Sequence, residues 1–146
     1  MANEARVTVG LSILKRSGAV TILDEKYMAV FTPTVTGTKG PSPGALTIPV
    51  YGKVIPLTEL TTPGLCMLRN LDATNYVEWG LYDPQIDQFY PLGEIQPGES
   101  YVLRFSRNIR EQYEGTGTGT TAVGGVEFFM KANAADVVVS VEAFEA

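Results

Sequence analysis

The side chains that could do chemistry are few: the carboxylates Asp24, Glu25, Asp83, Asp87, Glu94 and Glu99, and one thiol, Cys66. The chain has no histidine. That removes the usual proton carrier near neutral pH and the commonest zinc ligand, and with them Ser-His-Asp and Cys-His catalysis. Paired-acid glycoside hydrolysis needs two carboxyls about 5 to 10 Å apart across a sugar cleft, and no spacing here selects such a pair. Asp83 and Asp87 could offer oxygens to calcium, but Ile86 stands between them and no third ligand follows at loop spacing. The segment reads as a solvated turn. Cys66 lies in the apolar run Leu65-Cys66-Met67-Leu68 and reads as a core residue. Gly115-Thr116-Gly117-Thr118-Gly119 imitates a phosphate-binding loop in composition only, because no Gly-Lys-Ser/Thr follows it. The expectation is a protein with no catalytic residues, no bound metal and no cofactor.

The elements that would position these residues are strands. Val7, Val9, Leu11 and Ile13 alternate with Arg6, Thr8 and Ser12, the period-two pattern of a strand at the edge of a core. Ser17-Gly18 turns the chain. Strands are expected over 19–23 and 26–36, joined at Asp24-Glu25, with Pro33 marking an edge or bulge. Further strands are expected over 46–50, 54–57, 65–71, 76–82, 89–92, 101–106, 126–132 and 137–144. The last two would pair across 133–136. Turns fall at Thr61-Thr62-Pro63-Gly64, 72–75, Asp83-Pro84 and Gln96-Pro97-Gly98-Glu99. No segment carries the helical i, i+3, i+4, i+7 pattern.

This pattern, punctuated by 15 Gly and 9 Pro, predicts an all-β fold: one antiparallel β-sandwich or jelly-roll-like barrel over residues 1–146 with long Gly/Thr/Pro-rich loops. A chain of 146 residues buries roughly two-thirds of its unfolded surface in one core. Residues 1–5 read as an N-terminal arm, and 37–44 and 114–125 as extended loops. A net charge of −5 argues against nucleic acid as a partner. The N-terminus has no apolar signal core, and no apolar run reaches the roughly 18 to 20 residues of a membrane span. The protein is expected in the cytosol, with no membrane partner.

Aromatic residues Tyr27, Tyr51, Tyr76, Trp79, Tyr82, Tyr90, Tyr101 and Tyr113 invite a sugar-stacking reading. Their positions within strands favour core or subunit packing, with Trp79 as the core anchor. Arg69, Arg104, Arg107 and Arg110 read as solvated or paired with acids.

Leu68-Arg69-Asn70-Leu71-Asp72, Asn75-Tyr76-Val77, Gly80, Phe89, Pro91-Leu92, Pro97-Gly98-Glu99 and Arg104 form a layout that resembles small virion proteins of tailed bacteriophages. These are the β-sandwich or jelly-roll head decoration (cement) proteins. The likeness covers Leu68 to Arg104, and its motifs are turn and strand signatures. The resemblance implies a homodimer or homotrimer that binds the major capsid protein at subunit junctions, stabilises the mature head, and resides on the virion head surface after assembly in the host cytoplasm. Lys39, Pro41 and Pro43 in one loop, and Thr116, Thr118, Thr120 and Thr121 in the other, are the candidate partner-binding residues. A tail adaptor or fibre-base protein and a carbohydrate-binding module are the alternatives.

Overall fold

The computed structural model of the chain describes residues 5–33, 37, 39–106 and 126–146. All regular structure among them is β, in ten strands. They group into two compact units, Met1–Thr36 and Gly37–Ala146, where the composition gave no sign of a boundary.

The first unit is a two-stranded antiparallel ribbon. β1 (Val7–Ser17) pairs with β2 (Val20–Phe31) from Val7↔Phe31 to Ser17↔Val20. Gly18 supplies the positive φ of the turn, at 60°, and Ala5 N donates to the Pro33 carbonyl at 3.3 Å at the open end. At about 3.4 Å per residue the ribbon is roughly 35 Å long. Two expectations change here. Asp24 and Glu25 do not break the strand: they pair with Leu14 and Ile13 inside β2, because the turn at Gly18 has already folded β2 back along β1, which supplies ladder partners there. Nor is β1 the edge of a core sheet, since β2 is its sole strand neighbour among the described residues.

The second unit is a β-sandwich. One four-stranded sheet has the order β3-β10-β5-β8 and the other β4-β9-β6-β7. The strands are β3 (Ser42–Ile48), β4 (Lys53–Val54), β5 (Pro63–Asn70), β6 (Val77–Asp83), β7 (Gln88–Ile95), β8 (Ser100–Arg104), β9 (Glu127–Ala132) and β10 (Val137–Glu145). Every pairing is antiparallel. The chain crosses between sheets at each step except β6 to β7, which form a hairpin. β9 and β10 therefore do not pair across 133–136 as expected. They lie in opposite sheets, because Phe128, Met130 and Ala132 and the facing Val137, Val139, Val141 and Ala143 are the apolar faces that close the core. Leu68 to Glu99 holds the end of β5 and all of β6 and β7, with β5 in the first sheet and β6 and β7 in the second.

Alternation decides which side chains face inward. Ile48, Leu68, Val77, Ile95, Met130 and the β10 valines at 137, 139 and 141 are fully buried, with Leu46, Leu57, Trp79 and Leu103 packed against them. Phe105 and Phe128 meet edge to face at 5.0 Å between centroids. Cys66 lies in this core.

Candidate interaction surface

The ribbon carries an unusual surface. Its register sets Val7 beside Phe31, Val9 beside Ala29, Leu11 beside Tyr27, Ile13 beside Glu25 and Lys15 beside Leu23 on one face. Val7 is buried, yet Val9, Leu11, Ile13, Leu23, Tyr27 and Phe31 are all exposed. The other face is mixed, with Thr8, Gly10, Ser12, Asp24 and Lys26 beside Leu14, Met28 and Val30. Six half-exposed large side chains at roughly 100 Å² each put on the order of 600 Å² of apolar surface on the first face. That equals the largest patch usual on a monomer, the size at which exposed apolar surface marks an interaction site. A two-stranded hairpin is also marginal in water without a covering layer.

Sequence reasoning found this strand but not its exposure. Alternation in β1 is the same signal that a core strand gives. The available clue was β2, where Val20, Ile22, Leu23, Tyr27, Met28, Val30 and Phe31 place apolar side chains on both faces.

The candidate partner-binding residues divide. Lys39 and Pro41 are exposed, but the segment is tied down: Lys39 Nζ donates to Thr61 Oγ1 at 3.4 Å, and Glu145 N donates to the Lys39 carbonyl at 3.0 Å. Pro43 is half-buried inside β3, opposite Glu142. The expected loop over 37–44 thus becomes strand from Ser42, where β10 offers a neighbour. Thr116, Thr118, Thr120 and Thr121 lie outside the described residues, as do Tyr113, Arg107 and Arg110.

The acids do not converge. Asp83 Oδ1 accepts from Gln85 N at 2.9 Å, and Asp87 Oδ1 accepts the Tyr82 hydroxyl at 2.7 Å, which raises the Tyr82 pKa. Glu94 accepts from Gln96 Nε2 at 2.8 Å, and Glu99 accepts from Gln96 N at 2.9 Å. No group of three or more acids or thiols among the described residues could hold a metal ion. Burial, and then the negative charge of Glu142, push the Cys66 thiol up to about 12.

The residues that carried the phage resemblance have structural work. Asn70, buried at the end of β5, donates from Nδ2 to the Asn75 carbonyl at 2.8 Å and the Ile95 carbonyl at 3.0 Å. Its Oδ1 accepts from Asp72 N at 2.9 Å. Asp72 Oδ1 accepts from Thr74 N at 2.8 Å and Asn75 N at 2.6 Å, and these bonds lower its pKa. Gly80 lies so near the Tyr90 carbonyl that no Cβ would fit. Gly98, at φ 76°, turns the chain between β7 and β8. Arg69 and Arg104 are exposed on neighbouring strands.

The aromatics of the second sheet pack on one another. Phe129 stacks on Tyr82 at 4.8 Å and meets Phe89 at 5.1 Å, while Trp79 meets Phe128 at 6.3 Å. Tyr51 is the most exposed ring among the described residues, at 82 %. No helix among the described residues is long and apolar enough to cross a membrane. No family model, curated protein or solved structure matches this chain.

Proposed function

We propose that this protein is a non-catalytic virion structural protein, a head decoration protein that binds between major capsid protein subunits and stabilises the mature shell. The observation that carries the reading is the β1–β2 ribbon, one face of which exposes Val9, Leu11, Ile13, Leu23, Tyr27 and Phe31, an apolar patch at the upper end of what a monomer usually carries. A surface of this kind belongs to a protein that functions in an assembly. The strand orders β3-β10-β5-β8 and β4-β9-β6-β7 are consistent with an eight-stranded jelly roll, an architecture used by capsid proteins and equally by lectin domains and cupins.

The mechanism is mass action. A protein that binds the expanded shell and not its precursor stabilises the expanded state by its binding free energy. Binding requires solubility before assembly, which a net charge of −5 favours. The test mixes purified protein with expanded, emptied heads and with precursor shells, followed by co-sedimentation. Binding to the expanded heads alone is the expected result. Binding to neither overturns the reading, and labelling at the vertex or tail in virion micrographs would transfer the protein to the tail side.

A further inference from the structure

We propose that the outer edge of β8 takes up an extended segment of a protein partner as a fifth, antiparallel strand of the first sheet. The segment carries carboxylates at two positions four residues apart, with apolar residues at the inward-facing positions between them. This edge is separate from the ribbon, and the proposal does not depend on the head as the partner.

The sandwich has four strand edges, and three are obstructed. β3 contains Pro43, β4 is two residues long, and β7 carries Pro91 and a register shift against β6 at Trp79/Gly80. Proline, brevity and bulges are the devices that keep one sheet from adding to another. β8 has none of them. It runs from Ser100 to Arg104 without proline or glycine, pairs with β5 in unbroken register, and has no strand on its other side among the described residues. The bonds at either end fix which way its peptide groups point. Asn70 N donates to the Glu99 carbonyl and Phe105 N to the Gly64 carbonyl, each at 3.0 Å, so residues 99, 101, 103 and 105 turn their backbone groups toward β5. Ser100, Val102 and Arg104 therefore point N–H and C=O outward, three ladder positions at two-residue spacing.

Side chains along this edge define the occupant. Tyr101 lies opposite fully buried Leu68, on the core side, yet is 43 % exposed, and Leu103 packs against the core. An added strand covers both with its own inward-facing residues, which must be apolar. On the outer side, exposed Val102 lies between two cations. Arg104 belongs to the edge strand, and Arg69 stands beside Ser100, whose short side chain leaves the guanidinium room to reach a strand about 5 Å farther out. These arginines are the sole charged residues of β5 and β8, and both are exposed. Of the acids close by, Glu99 accepts from Gln96 N, and Glu142, two strands in from the edge, accepts the Ser140 hydroxyl. An extended chain matches the spacing because alternate side chains share a face: carboxylates opposite Ser100 and Arg104, apolar residues opposite Tyr101 and Leu103.

The test is the fluorescence anisotropy of a labelled peptide, Ser-Glu-Val-Thr-Val-Glu-Ser, titrated with the full chain. Saturable binding is expected. Changing both Glu of the peptide to Lys, or Arg104→Glu in the protein, should weaken it about tenfold, and the chain carrying Arg69→Glu and Arg104→Glu should prefer the Lys peptide. Backbone pairing has its own readout. N-methylation of the peptide Thr, whose N–H faces Val102, should abolish binding, whereas N-methylation of the Val before it, whose N–H points away, should change it less than twofold. Val102→Pro should also abolish binding and keep the urea midpoint, because the Val102 N–H makes no bond to β5. The Val102 and Arg104 amides should exchange freely in the chain alone and at least tenfold more slowly with peptide. No binding at millimolar peptide, binding indifferent to charge reversal or to methylation of the Thr, or amides at Val102 and Arg104 already protected in the chain alone overturns the proposal. Co-sedimentation with heads, measured separately, bears on the decoration reading alone.

Discussion

Asn70 and Ile95 join the two sheets of the sandwich: the Asn70 side chain, at the end of β5, donates from Nδ2 to the Ile95 carbonyl, at the end of β7, over 3.0 Å. The same amide holds the Asn75 carbonyl and receives Asp72 N, so one buried side chain satisfies three backbone groups where the chain leaves one sheet for the other. Truncation strands the buried Ile95 carbonyl and leaves the partly buried Asn75 carbonyl and Asp72 N without this partner. Asn70→Ala should cost about 3 kcal/mol, several times a typical exposed hydrogen bond. Urea unfolding followed by Trp79 fluorescence measures it, and a loss under 1 kcal/mol would show that water replaces the amide.

Acid should weaken the same turn from its exposed side. Backbone N–H groups of Asn75 and Thr74 hold the Asp72 carboxylate below its ordinary value of 3.8. A carboxyl with a depressed folded pKa adds stability that is present above the unfolded value and disappears as pH falls through the folded one. Asp72→Asn should therefore lie below the wild type in urea midpoint at pH 7, with the difference closing below pH 3.8. A gap that persists at pH 2 would assign the effect to the side-chain amide and not to charge.

Close approach at Gly52 gives a test of the outer aromatic cluster. Gly52 has φ 89°, and a Cβ there would fall inside the Phe129 ring. Gly52→Ala combines left-handed strain with overpacking, for an expected loss of about 3 kcal/mol. Gly44, also at φ 89° but with nothing near its Cβ, is the control: Gly44→Ala should cost about 1 kcal/mol. Equal losses would mean that the ring swings away freely.

The Cys66 thiol, raised to about 12 and sealed in the core, should be inert to Ellman's reagent at pH 8 in the native protein. Reaction should appear along the urea transition, in step with loss of the Trp79 signal. Rapid labelling without denaturant would show that the two sheets part locally at β5.

Much of this protein is legible from local pattern. Alternation of Leu103 and Phe105 with Val102, Arg104 and Ser106 fixes a strand and its inward side, since side chains along an extended backbone face opposite ways whatever the partner. Turn chemistry placed turns at Gly18 and Gly98, both at positive φ, for equally local reasons, whereas Pro63 and Gly64, expected in a turn, begin β5 because a strand partner was available that local composition does not show. Cys66 was legible as core because a small apolar side chain inside an apolar run has nowhere else to go.

Pairing is another matter. β9 and β10 are neighbours in sequence with a turn between them, yet each hydrogen-bonds into a different sheet; strand choice depends on which apolar faces meet, a property of the whole set of strands. The same limit hid the candidate surface. Val9, Leu11 and Ile13 alternate as core strands do, and the pattern specifies an apolar face without specifying what covers it. By itself the sequence determined that this chain is built of strands. Tertiary structure alone decided that eight of them cover one another and that the first two keep a face exposed, because burial is a relation between elements distant along the chain and no local period encodes it.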